Sequence, residues 1–86
     1  MTDPQFTIDR MYALMAEVFM LGDFTFERSM SSADVPGWDS LRNVVLTMEL
    51  ERRTGVELSP DEIARFPDVG SMYDYIRTRM GHDPGS

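Results

Sequence analysis

The chain has 86 residues, of which 27% are charged and 42% hydrophobic, so we expect a single globular domain with a modest core. Its net charge of −7 disfavours nucleic acid and anionic membranes as partners. No cysteine is present, which excludes disulfides and thiolate metal sites and is compatible with a reducing compartment.

The sequence shows neither a membrane segment nor an export signal. No apolar run approaches the ~20 residues that a membrane helix needs. The N-terminus lacks a basic segment followed by an apolar one, as a signal peptide would have. We therefore expect a cytoplasmic protein.

The first predicted element is a long amphipathic helix. Asp3 and Pro4 are typical of a helix start, in which a capping residue precedes a proline at the first helical position. Apolar residues then recur at spacings of three and four, as one face of a helix requires. These residues are Ile8, Met11, Tyr12, Met15, Val18 and Phe19. Gly22 is predicted to end the helix.

A long loop is predicted from Asp23 to Asp39, because periodicity is lost and loop-forming residues predominate. Four apolar residues are expected to anchor it on the helices: Phe24, Phe26, Met30 and Val35. A loop of this length is unusual in a small domain and is often functional.

The second predicted helix runs from Ser40 to Thr54, is followed by Gly55, and has two apolar stripes. At 100° per residue, one stripe contains Leu41, Val44, Val45 and Met48, and Leu46 and Leu50 point nearly opposite. A helix on one side of a bundle needs only one stripe. Either this helix is buried on two sides, beneath the loop, or one stripe contacts a partner.

Two further helices are predicted. The segment Ser59-Pro60-Asp61-Glu62 is a capping box that starts a short helix, which Pro67 ends. Ser71 and Asp74 are predicted to cap a last helix, which Gly81 closes. Residues 82–86 are polar and are predicted to form a disordered tail, which leaves one domain over residues 1–81.

The start of the second helix has chemistry suited to a phosphate. A helix N-terminus exposes unpaired backbone N–H groups and the positive end of the helix dipole. No histidine or lysine lies near Ser40, so another enzyme would have to activate its hydroxyl. The chain has no glycine-rich phosphate loop and no metal-binding motif, and its only histidine, His82, lies in the tail. We therefore predict neither an intrinsic enzyme nor a metal site.

The segment Gly37-Trp38-Asp39-Ser40-Leu41, together with the order of the helices, resembles the acyl carrier protein family. In that family an Asp-Ser-Leu triplet opens the second helix. The segment Gly55-Val56-Glu57-Leu58 is similar to the exit from that helix, and residues 68–72 are similar to the turn into the fourth. The resemblance spans residues 4–80 and implies an all-α four-helix bundle with a short third helix and a long loop between helices 1 and 2.

The resemblance implies that Ser40 carries a 4′-phosphopantetheine cofactor through a phosphodiester. Asp39 would then help a transferase to orient coenzyme A, and Trp38 and Leu41 would shape the exit of the arm. The resemblance also places Leu46 inward, with Leu50, and the other stripe outward. The partner-binding residues it implies are Leu41, Arg42, Val45, Met48, Glu49 and Arg52.

The chain departs from fatty-acid carriers in its second helix. Arg42, Val45 and Arg52 stand at places that are often acidic in those carriers, and Thr54 replaces a common aromatic residue. The usual acidic docking surface is therefore not expected. This difference favours polyketide or other secondary-metabolite biosynthesis over bulk fatty-acid synthesis.

The implied function is that of a monomeric, non-enzymatic acyl carrier that holds acyl groups as thioesters. Its implied partners are a phosphopantetheinyl transferase, an acyl- or aminoacyl-loading enzyme, and synthase or tailoring enzymes. One alternative is an aminoacyl or peptidyl carrier that an adenylating ligase loads. The other is a non-carrier helical interaction module in which Ser40 is only a helix cap.

Overall fold

The structure is a computed structural model that describes residues 6–80, and this part of the chain is all-helical. It contains α1 (Ile8–Phe19), α2 (Ser40–Thr54), α3 (Pro60–Arg65) and α4 (Val69–Met80). The loop between α1 and α2 contains a short 3₁₀ turn, Ser32–Asp34, which the sequence analysis did not predict. The predicted four-helix bundle with a short third helix is confirmed. The predicted helix end at Gly81 and the predicted tail lie outside the described residues.

The core takes apolar side chains from all four helices and from the long loop. Leu46 and Leu50 of α2 are fully buried, so their predicted inward orientation is confirmed. The alternative in which α2 is buried on two sides is wrong, because Leu41 is 73% exposed and Met48 is 59% exposed. The other fully buried side chains include Met11, Met15, Ile63, Val69 and Ile76. None of the helices in residues 6–80 is long and apolar enough to cross a membrane.

Helices α1 and α4 do not start where the sequence pattern predicts. The predicted start at Asp3-Pro4 lies outside the described residues, and α1 begins at Ile8, where the Thr7 hydroxyl provides the cap. Helix α4 begins at Val69, and its cap is the Asp68 carboxylate, which accepts a hydrogen bond from the Ser71 N–H at 2.8 Å. Ser71 therefore lies inside the helix and does not cap it.

The hydrogen bond from the Ser71 backbone N–H holds the pKa of Asp68 below its usual value, because it stabilises the ionised carboxylate. The stabilisation by this cap is therefore complete above the pKa of an unfolded aspartate. It is lost as the pH falls through the lowered value of the folded state.

Helix α1 ends at Phe19, and Met20 rather than the predicted Gly22 follows it in the left-handed conformation, with φ of 59°. The Leu21 N–H donates to the Ala16 carbonyl at 2.9 Å and so satisfies one of the terminal carbonyls of α1. The Met20 side chain is highly exposed. The chain therefore leaves α1 two residues earlier than the glycine indicates.

The long loop is anchored on the bundle by apolar side chains, as predicted. Phe26 and Val35 are buried, and Phe24 and Met30 are half-buried against the core. The rings of Phe24 and Phe26 pack edge-on, with centroids 4.9 Å apart. These contacts fix the path of the loop toward the start of α2.

Backbone hydrogen bonds join the same loop to the start of α4. The Val69 N–H donates to the Met30 carbonyl at 2.8 Å, and the Gly70 N–H donates to the Arg28 carbonyl at 2.9 Å. The Arg28 guanidinium also pairs with the Asp74 carboxylate at 2.6 Å. The loop and the start of α4 are so close that a Cβ at Gly70 would lie 2.9 Å from the Cβ of Arg28.

We expect Gly70→Ala to destabilise the fold by about 1–3 kcal/mol, the usual cost of overpacking. In an open helix the same change would stabilise by up to ~1 kcal/mol, since alanine is the better helix former. Urea denaturation of the variant beside the wild type measures the sign of the effect. An increase in stability would show that Gly70 is not constrained by Arg28.

Candidate functional site

The start of α2 places Ser40 at an exposed helix N-terminus that a neighbouring residue caps. Asp39 is the N-cap, because its Oδ1 accepts from the Arg42 N–H at 2.8 Å and its carbonyl accepts from the Asn43 N–H at 2.8 Å. Ser40 is the first residue of α2, and no hydrogen bond within the described residues engages its hydroxyl. The hypothesis that Ser40 is the helix cap is therefore wrong, and its hydroxyl is available for chemistry.

The end of α1 supports the segment that precedes Ser40. Gly37 has φ of 81° and lies so close to α1 that a Cβ there would be 3.2 Å from the Phe19 carbonyl oxygen. The Trp38 indole stacks on the Phe19 ring, with centroids 5.2 Å apart. Both residues of the Gly37-Trp38 pair therefore contact α1. The glycine allows the backbone to approach the helix closely, and the tryptophan packs on the Phe19 ring.

Trp38 is also held from the other side by Asn43, a residue that the sequence analysis missed. The indole N–H donates to Asn43 Oδ1 at 2.9 Å, and Asn43 Nδ2 donates to the Pro60 carbonyl of α3 at 3.0 Å. Asn43 is only 8% exposed. The sequence did contain a signal for this role, because Asn43 lies on the same face of α2 as Leu46 and Leu50. A polar residue on a buried face needs hydrogen-bond partners.

A cleft of about 320 Å³ opens beside Ser40, between α2, α3 and the long loop. Its lining residues are Ser32, Trp38, Asp39, Ser40, Asn43 and Ala64. The structure therefore brings together three of the predicted site residues, which are Trp38, Asp39 and Ser40. Leu41, the residue after Ser40, is mostly exposed and does not line this cleft.

A second feature of α2 is its exposed apolar stripe, formed by Leu41, Val44, Val45 and Met48. These side chains lie on the face opposite Leu46 and Leu50. The stripe starts at the residue next to Ser40 and runs for two turns of the helix. Exposed apolar side chains grouped in this way are typical of an interaction surface.

Two of the arginines predicted to contact partners have contacts within the chain. Arg42 Nη1 donates to the Val18 carbonyl at 2.8 Å, near the C-terminus of α1, where a cation is favourable. Arg52 Nη1 pairs with Glu49 Oε1 at 2.9 Å, three residues before it on α2. The sequence pattern did not predict the contact of Arg42 with α1. Arg42 is half-buried, whereas Arg52 remains exposed.

Comparison with known proteins identifies the family. Residues 10–76 match the family model described as the phosphopantetheine attachment site. The chain belongs to this family. Its members carry a covalently attached 4′-phosphopantetheine group and are generally non-catalytic carriers, which work with phosphopantetheinyl transferases and loading enzymes. No solved structure matched the chain significantly.

The site at the start of α2 fits the prosthetic group of the phosphopantetheine attachment-site family. The Ser40 hydroxyl is exposed and unengaged within the described residues, as an attachment point must be. The first turn of α2 offers backbone N–H groups and a positive dipole end to a phosphodiester. The cleft beside Ser40 has polar side chains, from Ser32 and Asn43, that suit a polar arm.

Proposed function

We propose that this chain is an acyl carrier, not an enzyme, and that Ser40 is the attachment point of its 4′-phosphopantetheine arm. The exposed Ser40 hydroxyl at the first position of α2, in a chain of this family, is the observation that carries the proposal. When attached, the arm supplies a terminal thiol that holds an acyl group as a thioester. The protein supplies a fixed base for the arm and a surface that partner enzymes recognise.

The residues around Ser40 have separate proposed roles. Asp39 uses Oδ1 in the helix cap, which leaves Oδ2 to help the transferase orient coenzyme A. Trp38 forms a wall of the cleft from which the arm emerges. Leu41, exposed beside Ser40, contacts the partner enzyme as it approaches the arm.

We propose that partner enzymes dock on the apolar stripe and that its contacts outweigh those of the charged residues on α2. Val45 and Met48 are exposed along the stripe. Arg42 and Arg52 are cations and so cannot supply an acidic docking surface, and each already has a partner within the chain, the Val18 carbonyl for Arg42 and Glu49 for Arg52. The apolar stripe suits a partner enzyme whose docking surface is itself apolar. This supports a role in polyketide or other secondary-metabolite biosynthesis rather than bulk fatty-acid synthesis.

The test of the proposed function is covalent loading. The purified chain is incubated with coenzyme A and a broad-specificity phosphopantetheinyl transferase, and its intact mass is measured. We expect the addition of one phosphopantetheine, which peptide mapping should place on Ser40. An unmodified chain would contradict the carrier function. Acyl transferases and adenylating ligases are then offered to the modified chain, and loading by ligases alone would favour an aminoacyl carrier.

We expect the modified carrier to be a poor substrate for a fatty-acid malonyl transferase and Arg52→Glu to raise the rate of loading at low salt. An arginine facing the basic surface of such an enzyme slows association, and an acid removes this repulsion. The gain should shrink as salt is added, because the Debye length is ~10 Å at 0.1 M. Malonyl loading at low and high salt measures both effects.

The matched control is Arg77→Glu, which makes the same charge change on α4, away from Ser40 in sequence. Arg42→Asp is a second variant, but it also removes the hydrogen bond to Val18, so its stability is measured first. An equal gain from Arg77→Glu would show that only net charge matters. The absence of a gain from Arg52→Glu would show that charge on α2 does not select partners.

A further inference from the structure

We propose that Asn43 is a positioning residue that sets the shape of the cleft beside Ser40 by holding Trp38 and α3 at once. The inference rests on the proposed function, since the reaction that it serves is the modification of Ser40. The sequence motif and the family match do not assign a role to Asn43. Its importance follows from the two hydrogen bonds that its side chain makes in the structure.

The Asn43 amide joins two walls of the cleft. Its Oδ1 accepts from the Trp38 indole N–H at 2.9 Å, and its Nδ2 donates to the Pro60 carbonyl at 3.0 Å. A carboxylate, with acceptors alone, could not make both bonds, whereas an amide has both a donor and an acceptor. Because Asn43 is 8% exposed, loss of either bond would leave a polar group poorly solvated.

The Asn43 side chain joins the two walls directly, in addition to the contacts that each wall makes elsewhere. Trp38 lies in the extended segment before α2 and is otherwise fixed by its stack on Phe19. Helix α3 has six residues, too few to be stable without tertiary contacts, and these include its buried Ile63 as well as the bond from Asn43. Ala64 of α3 lines the cleft opposite the residues of α2. One side chain on α2 therefore couples the positions of Trp38 and α3 beside Ser40.

Asn43 acts through these neighbours, because it is only 8% exposed and both Oδ1 and Nδ2 of its amide are bonded within the chain. The transferase must bring coenzyme A to the Ser40 hydroxyl over a surface that includes Trp38 and the cleft. A wall displaced by about 1 Å is enough to lower the rate of a positioned reaction by up to ~100-fold. The fixed walls thus favour the productive approach of the transferase.

The test compares Asn43→Ala with Thr47→Ala. Thr47 is a good control, because it is a buried polar residue on the same face of α2, and its hydroxyl bonds only to the Asn43 backbone carbonyl of its own helix. Each variant is first shown to be folded by thermal melting. Two quantities are then measured: kcat and KM for phosphopantetheinyl transfer, and acrylamide quenching of Trp38, the only tryptophan in the chain.

We expect Asn43→Ala to lower kcat/KM by about 10-fold to 100-fold and to increase quenching, since the indole loses its acceptor. Thr47→Ala should change neither quantity appreciably. Trp38→Phe keeps the ring stack and the Asn43–Pro60 bond while removing the indole N–H, so it should lower kcat/KM by a smaller factor. The double variant with Trp38→Phe and Asn43→Ala should lose less kcat/KM than the two single losses multiplied together, because the two residues share one interaction.

The outcomes separate this inference from the proposed function. Failure of the wild type to accept the arm would contradict the proposed function, while quenching would still test whether Asn43 holds Trp38. A wild type that is modified, with Asn43→Ala equal to it in rate and quenching, would overturn the inference. Equal losses in Asn43→Ala and Thr47→Ala would also overturn it. If Asn43→Ala does not fold, a Trp38→Phe variant with wild-type kinetics overturns it.

Discussion

Ser40→Ala is expected to abolish phosphopantetheinylation completely, so that the intact mass stays that of the unmodified chain. The variant lacks the hydroxyl oxygen that must form the bond to phosphorus. The chain contains other serines, but Ser40 stands at the first position of a helix of 15 residues with its hydroxyl free of hydrogen bonds within residues 6–80. A variant that still gains the arm would show that another serine is the attachment site.

Loss of modification has meaning only if the Ser40→Ala variant is folded, and the structure predicts that it is. The Asp39 carboxylate caps α2, so the substitution should cost less than the ~0.5–2 kcal/mol of a lost cap. Asp39→Ala removes the cap itself and should cost that full amount. Urea denaturation of both variants tests the assignment of the cap, and a larger cost at Ser40 than at Asp39 would contradict it.

The helices and their order could be predicted because their signals are local. The Ser59 capping box, with Glu62 three residues later, is formed as the sequence indicates. The αL residue after α2 is Gly55, as predicted, although its N–H makes a single bond to the Glu51 carbonyl and not the paired bonds of a Schellman motif. Periodicity alone did not show which of the two stripes of α2 is buried. The family resemblance identified the stripe that contains Leu46 and Leu50.

The contacts that build the site could not be predicted, because they join segments far apart in the chain. Arg42 bonds to a carbonyl of α1, 24 residues away, and Asn43 bonds to α3, 17 residues away. Nothing in the local pattern of α2 specifies either partner. The end of α1 was likewise not marked by its glycine, because Met20 and Gly22 both have positive φ, 59° and 64°, and the helix ends before the first of them.

Leu46→Ala is expected to cost about 2–5 kcal/mol, the largest effect on stability that we predict. Leu46 is fully buried in the face of α2 that contacts the core, so truncation leaves a cavity as well as removing apolar contact. A single domain has only about 5–15 kcal/mol of stability in total, so the loss would be a large fraction of it. The change should appear as a lower urea midpoint with little change in slope.

Met48→Ala is the matched control, since it truncates a large apolar side chain two residues further along the same helix. Met48 is 59% exposed, so its truncation should leave no cavity and should change stability by no more than ~0.5 kcal/mol. It should instead slow loading of the modified carrier by its own partner enzymes, because Met48 lies in the apolar stripe. A small cost at Leu46 together with a large one at Met48 would reverse the assignment of the two faces. It would also remove the apolar stripe as a docking surface, because Met48 would then belong to the core.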